Sequence, residues 1–415
     1  MHARSFSMHD PNPTDGQEGD NASQLRVGIV TSSFPVPANT SSGIFVERLV
    51  AHLPDSIRAT VLTPCPDSAL SKPDGRAYTL TCFKYGPRSW LRLAHRPGGL
   101  PDAWRRRDPA LLLLPLFLPA LFIGCLRLAG RVDVLHGNWS LPAVIAAVAG
   151  RVRGRPAIAT LRGEDISRAE GSPLFRWLLA SCLALNERTV VVSESMRDHL
   201  HREFPKYTAR IEFVPNGVLS GEGVARSAFR SPLRLITVGS LIHRKRLETL
   251  LQALANPACP AETVLRVVGD GPERGSLEST ARSLALGSRV EFVGGVPPEQ
   301  VAKHLCWADI FVFGSESEGR PNAVLEAMAE GMPILATDIP GVRELIGSGA
   351  GLLYPVGNST TLAHAISTVS TDPQNAHTLG REAKARIERS GLTWPAAGSR
   401  YAALYREIGK GTRKH

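Results

Sequence analysis

The chain lacks most of what would mark it as secreted, metal-binding or membrane-spanning. Its 415 residues hold six cysteines, Cys65, Cys82, Cys125, Cys182, Cys259 and Cys306, with no CxxC pair and no metal-ligand spacing. That scatter reads as reduced thiols in a cytosolic protein. The stretch up to Gln24 has no apolar run of the kind a secretory signal needs; rich in Asp, Asn, Pro, Gly and Ser, it reads as a disordered leader. There is no Asp-x-Asp pair and no His/carboxylate cluster at metal-like spacing, so no metal and no further cofactor is expected. No internal repeat or low-complexity block appears, and no aromatic platform or nucleic-acid-binding module accompanies the basic residues. A nucleic-acid partner is therefore set aside.

What is present begins with charge. The formal net charge is +10, with the excess mainly before Pro215, which suits anionic partners in general: nucleotides, phosphorylated lipids, membrane surfaces. One segment, Ala110 to Leu128, is apolar enough to suggest a membrane, but Pro115, Pro119 and Arg127 interrupt it. It reads as a buried helix rather than a span. Arg88, Arg92, Arg96, Arg105, Arg106 and Arg107 precede it, so a basic, apolar edge resting peripherally on an anionic membrane is the competing reading, with a core helix and solvated arginines preferred.

Short β-branched runs alternate with amphipathic stretches. In the first half they are Val27–Thr31, Thr60–Thr63, Val132–His136, Ala157–Leu161, Thr189–Ser193 and Ile211–Val214; in the second, Leu233–Val238, Val264–Gly269, Val290–Val293, Ile310–Phe313 and Ile334–Thr337. The pattern predicts an α/β chain of two parallel sheets with helical crossovers, one domain over 25–217 and another over 232–395, joined by a linker at 218–231. A last helix over 396–409 carries Tyr401, Leu404, Tyr405 and Ile408 as one apolar stripe, enough to pack back on the first domain. Such sheets bind ligands at the carboxyl ends of their strands, so function is expected in the strand-to-helix loops facing an interdomain cleft.

The richest loop follows the strand Ile310–Phe313: Ser315-Glu316-Ser317-Glu318-Gly319-Arg320-Pro321-Asn322, running into Ala323-Val324-Leu325-Glu326-Ala327-Met328-Ala329. Pro321 suits a first helical turn, whose unpaired amides and dipole favour a phosphate or sugar hydroxyls. Gly319 allows close approach, and Glu326, about a turn into the helix, can present its carboxylate to paired hydroxyls such as those of a ribose. After the strand Leu233–Val238, Arg244 and Lys245 sit where they can reach a diphosphate. Fixed cations in such a loop stabilise negative charge that develops during a reaction more than they stabilise the ground state.

Glu318 and Glu326 match the EX7E pattern of the family-four retaining glycosyltransferases, inside the longer EG-x-PN-x-x-LEAMA-x-G-x-P signature that ends at Gly331 and Pro333. Val238-Gly239 through Arg244-Lys245, Val268-Gly269-Asp270-Gly271-Pro272, Val290 to Gly294 and Val214 to Val218 resemble the same family, so the likeness spans nearly all of 25–408. It implies a GT-B fold, two Rossmann-like domains facing across a cleft. It also implies that Glu318 lies against the donor sugar, that Glu326 holds the ribose, and that Arg244 and Lys245 neutralise the leaving nucleotide without a metal. Gly319, Arg320, Pro321 and Asn322 would complete the donor loop. By the same resemblance Gly43 opens the first helix with its backbone toward the donor diphosphate, and Val293 belongs to the segment framing the base.

The sequence departs from the family in two places: Ser240 stands where an arginine is usual, and Arg162 begins Arg162-Gly163-Glu164-Asp165 where His-Gly-x-Asp is frequent. His136, Arg162 and Asp165 are accordingly candidate acceptor or sugar contacts. The expectation is transfer, with retention, from a UDP- or GDP-linked sugar to a glycan or lipid-linked acceptor. Cell-surface polysaccharide assembly is suggested by relatives sharing Phe34-Pro35 and Gly43-Ile44-Phe45-Val46-Glu47. The alternative is a non-catalytic nucleotide-sugar-binding protein of the same fold.

Overall fold

The computed structural model describes residues 24–35, 43–64, 78–86, 108–219 and 229–411. The leader up to Ser23, Cys65, the arginines from Arg88 to Arg107 and residues 220–228 of the expected linker lie outside them.

The first lobe runs β1 (Leu25–Val30), α1 (Ile44–Ala51), β2 (Ile57–Pro64), β3 (Tyr78–Phe83), α2 (Leu114–Ala129), β4 (Val134–Asn138), α3 (Ser140–Val152), β5 (Ala157–Leu161), α4 (Glu164–Gly171), α5 (Pro173–Leu185), β6 (Arg188–Val191), α6 (Glu194–Glu203) and β7 (Ile211–Phe213). Its strands form one parallel sheet in the order β3-β2-β1-β4-β5-β6-β7. Successive residues face opposite sides of a strand, and the core divides accordingly. Val27, Ile29, Val134 and Ile158 pack with α1, whereas Val30, Leu135 and Ala157 pack with α2 and α3.

The second lobe follows the same logic: β8 (Arg234–Val238), α7 (Leu247–Ala255), β9 (Val264–Val268), α8 (Arg274–Ser283), β10 (Val290–Gly294), α9 (Val301–Trp307), β11 (Ile310–Phe313), α10 (Asn322–Ala329), β12 (Ile334–Thr337), α11 (Pro340–Ile346), β13 (Leu352–Tyr354), α12 (Ser359–Thr371) and α13 (Pro373–Arg389). Its parallel order is β10-β9-β8-β11-β12-β13. Strand order reverses between β1 and β4 in one sheet and between β8 and β11 in the other, and the crevice outside such a reversal is where open α/β sheets bind ligands.

The chain crosses between lobes twice. The Val218 amide donates to the Leu392 carbonyl at 3.0 Å, and a Cβ on Gly217 would fall 2.1 Å from the Trp394 nitrogen, so the two crossings lie against each other. The last helix, α14 (Trp394–Gly411), packs on α1, β1 and β4, burying Trp394, Tyr401 and Tyr405 in the first lobe's core.

Two expectations fail here. Cys82 is disulfide-bonded, against the reading of reduced thiols; Cys125, Cys182, Cys259 and Cys306 are free. Spacing along the chain could not show this, because pairing of β2 with β3 brings distant residues together, Thr63 opposite Cys82. The apolar segment is a helix on the sheet, as expected of a core helix, but only its inner edge is covered. Phe117, Leu121, Cys125 and Leu128 are buried, while Leu112, Leu116 and Ile123 are exposed.

Candidate active site

The two loops flanking the β8/β11 reversal supply the charged centre. Leaving β8, the chain turns at Gly239, makes a short 3-10 turn over His243–Lys245, and enters α7 through Arg246 in the left-handed conformation, φ 48°. Leaving β11, it runs through Gly314 to Pro321, which takes the N-cap position of α10 rather than the first turn. The Lys245 ammonium lies 2.8 Å from Glu318 Oε1 and 5.0 Å from the centre of the Phe313 ring. Ser315 Oγ donates to the same carboxylate at 3.1 Å. Burial pushes the Glu318 carboxyl up, but the charges of Lys245 and Arg244 and the hydrogen bonds from Lys245 and Ser315 outweigh it, holding the group below the usual carboxylate range. A small depression beside this pair is lined by Thr237, Gly239, Ser240, Lys245, Phe313 and Gly314.

The facing lobe reaches into this centre. Arg244 Nη1 donates to Glu164 Oε2 on α4 at 2.5 Å, and Arg48 Nη1 on α1 donates to Glu326 Oε1 on α10 at 2.6 Å. Backbones meet as closely: a Cβ on Gly319 would lie 2.5 Å from the Arg162 carbonyl oxygen, and one on Gly163 would lie 2.8 Å from Gly319 Cα. Gly163 also has φ 105°, which only glycine takes readily. The cleft is thus held shut around its own charges.

Arg162 forms the floor on the first lobe's side. Its guanidinium donates to Asn216 Oδ1 at 2.9 Å and Asn138 Oδ1 at 3.1 Å and sits 4.1 Å over the Phe45 ring, while Asn216 Nδ2 donates to Asn322 Oδ1 at 3.1 Å. Burial lowers its pKa to about 10, still cationic at neutral pH. Gly43, φ 76°, opens α1 beside it; a Cβ there would strike the Ser33 carbonyl oxygen at 2.2 Å.

Three candidates have other work. His136 is fully buried: Nδ1 lies 2.8 Å from the Tyr405 hydroxyl, Nε2 lies 2.7 Å from Thr160 Oγ1, and the ring stacks on Tyr401. Burial, aided by the Arg162 charge, drives its pKa down to about 3, so it is neutral. It ties α14 to the sheet. Asp165 is also buried; its Oδ1 accepts the Ser140 amide at 2.7 Å, fixing the start of α3. Arg320 is bound through Nη1 to Glu344 at 3.0 Å, and the other Glu344 oxygen accepts the Ser195 amide of the first lobe at 3.2 Å. The Arg320 side chain therefore braces the lobe contact. Val293, at the carboxyl end of β10, stands apart from the ion-pair cluster beside the Gly269–Gly294 backbone contact of 2.8 Å.

Sequence reasoning missed Arg48, Glu164, Asn138 and Asn216. Arg48 in Ile44–Ala51 looks like the solvated residue of an amphipathic helix; only the other lobe shows why it is buried.

Comparison with known proteins decides what this cleft belongs to. The model described as Glycosyltransferase Family 4 matches residues 42–219, and the one described as Glycosyl transferases group 1 matches residues 226–386. The chain belongs to the family 4 glycosyltransferases. N-acetyl-alpha-D-glucosaminyl L-malate synthase of Bacillus anthracis is 27% identical over 62% of this chain and 70% of its own length. The putative teichuronic acid biosynthesis glycosyltransferase TuaC of Bacillus subtilis is 29% identical over 57% of this chain and 60% of its own. Among solved structures, sucrose-phosphate synthase from Thermosynechococcus elongatus superposes with a TM-score of 0.78 at 21% identity, over 94% of this chain and all of that one. Anabaena HepE in complex with UDP superposes at 0.70 and 19% identity, over 92% of this chain and all of that one. At these identities the structural likeness concerns the fold, which is GT-B.

Proposed function

We propose that this glycosyltransferase moves a sugar, with retention at the anomeric carbon, from a UDP- or GDP-linked donor to a hydroxyl of a glycan or lipid-linked acceptor. The setting is cell-surface polysaccharide assembly at the cytoplasmic face of a membrane. The observation that carries the reading is the Lys245–Glu318 contact of 2.8 Å, with Arg244 on the same loop as Lys245, at the strand ends where an open α/β sheet takes its ligand. A dinucleotide-like fold that places two cations there is built to receive a diphosphate.

In this reading the donor exchanges partners with the ion pairs. The diphosphate takes Lys245 and Arg244, the ribose hydroxyls take Glu326, and Glu318 turns to the sugar. The bond between the anomeric carbon and the phosphate oxygen breaks, its electron pair leaving with the diphosphate. The acceptor oxygen bonds to that carbon from the same face, and its proton passes to the departing phosphate. Cations held in place need no reorganisation as this charge develops, so they supply the stabilisation that a metal gives elsewhere. Two relatives support the substrate class by name: TuaC is described for teichuronic acid biosynthesis, and HepE is solved with UDP-glucose.

A thermal-shift screen of nucleotide sugars tests the donor, since a ligand of the native state raises the melting temperature. Anomer analysis of the product by NMR tests retention, and undiminished turnover in EDTA is expected. Binding without turnover across an acceptor panel would return the chain to the non-catalytic alternative.

A further inference from the structure

Nine large apolar side chains are exposed among the described residues, and seven of them lie on three neighbouring helices of the first lobe. They sit on α2 with the helical turn leading into it, on α3 and on α5; Leu112 is 83% exposed, Val152 65% and Trp177 64%. α2 packs on α3 and α3 on α5, so the three outer faces are contiguous. Scattered exposed leucines need no explanation, but a continuous apolar surface of this kind on a soluble lobe does.

The pattern on α2 is specific. Phe117, Leu121, Cys125 and Leu128 fill the inner edge, and Leu112, Leu116, Ile123 and then Arg127 follow one another along the outer edge at intervals of four and seven residues. A surface helix normally shows water a polar face. This one is apolar on both edges, with a mean hydropathy of 2.2 over Leu111–Ala129, yet its inner edge is already used by the sheet. Charge within the three helices themselves has one sign. None of α2, α3 and α5 contains an Asp or Glu, whereas Arg127, Arg131, Arg151 and Arg153 are exposed on or beside their ends; Arg176 is exposed too but pairs with Glu203 of α6 at 2.9 Å, and Glu187 is an exposed carboxylate just past α5.

We infer that the outer face of α2, α3 and α5 docks on an anionic lipid bilayer, the apolar side chains entering the acyl boundary and the arginines meeting the headgroups. A protein partner would satisfy the leucines equally well, but it gives no reason for three helices to exclude every carboxylate. A negatively charged surface does. The face lies on the side of the sheet opposite α1 and α14, so docking leaves the last helix uncovered. This specifies the surface for the membrane setting proposed above and rests on that reading only for which membrane is met; vesicle binding is measured without any sugar transfer, so the two can fail separately.

The test is co-sedimentation of the full chain with vesicles of phosphatidylcholine and phosphatidylglycerol at 7:3, and with phosphatidylcholine alone. The expected result is at least tenfold stronger binding to the anionic vesicles, weakened by salt, with a blue shift of tryptophan emission. The triple variant Leu112→Ser, Val152→Ser, Trp177→Ser should lose at least tenfold of that binding while keeping its UDP-dependent thermal shift. A control, Leu219→Ser, exposed outside the patch, should bind like the parent. The inference is overturned if the parent stays in the supernatant with anionic vesicles, or if the triple variant pellets as the parent does. It is overturned equally if the parent forms a dimer that the triple variant dissolves while neither binds vesicles.

Discussion

Arg48 and Glu326 stand on opposite lobes and their side chains meet at 2.6 Å, both largely shielded from solvent. The carboxylate expected to hold the nucleotide ribose is therefore already held by a cation of the other domain. If Glu326 holds the ribose, opening the cleft and freeing that carboxylate are one event. Removing one member of the pair should act in opposite directions. Glu326→Ala is expected to weaken UDP binding by about tenfold, near 1.4 kcal/mol, whereas Arg48→Met frees the carboxylate and should strengthen it. Calorimetric titration of both variants checks this; equal and parallel losses would mean that the pair only supports the fold.

Lys245→Ala should remove a cation from the departing diphosphate. The expected cost is about 2–4 kcal/mol of barrier, roughly 30- to 1,000-fold in kcat, with an unchanged circular dichroism spectrum. Turnover at the parent rate would remove Lys245 from the mechanism.

Gly319→Ala and Gly163→Ala should separate closure from donor binding. Each new methyl group collides with the backbone of the facing lobe, at 2.5 Å from the Arg162 oxygen and 2.8 Å from Gly319 Cα respectively. UDP affinity is expected to survive in Gly163→Ala, which lies outside the donor loop, while in both variants kcat falls and the radius of gyration in solution scattering rises.

The buried imidazole of His136 gives a pH signature. Its folded pKa, about 3, lies below the ordinary value near 6.5, so between those limits the unfolded chain binds a proton that the folded one refuses. Its contribution is therefore complete above about pH 6.5 and is lost as the pH falls toward 3, by at most about 1.4 kcal/mol per pH unit. His136→Gln should flatten that part of the acid limb in urea titrations repeated from pH 7 to pH 4. Glu318 acts at lower pH and with the usual carboxylate sign: its lowered pKa stabilises the fold above the ordinary carboxylate range, and that contribution disappears as acid protonates it.

Much of this architecture was legible in residue pattern. The strands of both sheets were visible because interior parallel strands are near-continuous apolar runs, and β11 is buried at every position. The strands missed were edges: β3 alternates in burial along Tyr78–Phe83, and β13 has three residues. The loop from Ser315 and the cations at Arg244 and Lys245 were readable because each lies within one strand-to-helix turn. Arg48, Glu164 and Asn216 were not, since their meaning comes from atoms that only lobe closure brings near. His136 and Asp165 were noticed for their chemistry, and burial gave them structural duties. The outer edge of α2 stood only as the competing reading for a related reason: apolar residues on both sides of a helix look like core until the fold shows that one side faces out.

The two adjacent crossings between lobes have a consequence for how the molecule is made. Because Trp394, Tyr401 and Tyr405 complete the apolar face of the sheet containing β1 and β4, the half that leaves the ribosome first stays bare there until the final helix emerges. The second lobe, contained between the crossings, can finish folding earlier. A chimera that exchanges first lobes between relatives must accordingly carry the last eighteen residues of ordered helix with the front of the chain, or it will join a sheet to a cover shaped for another.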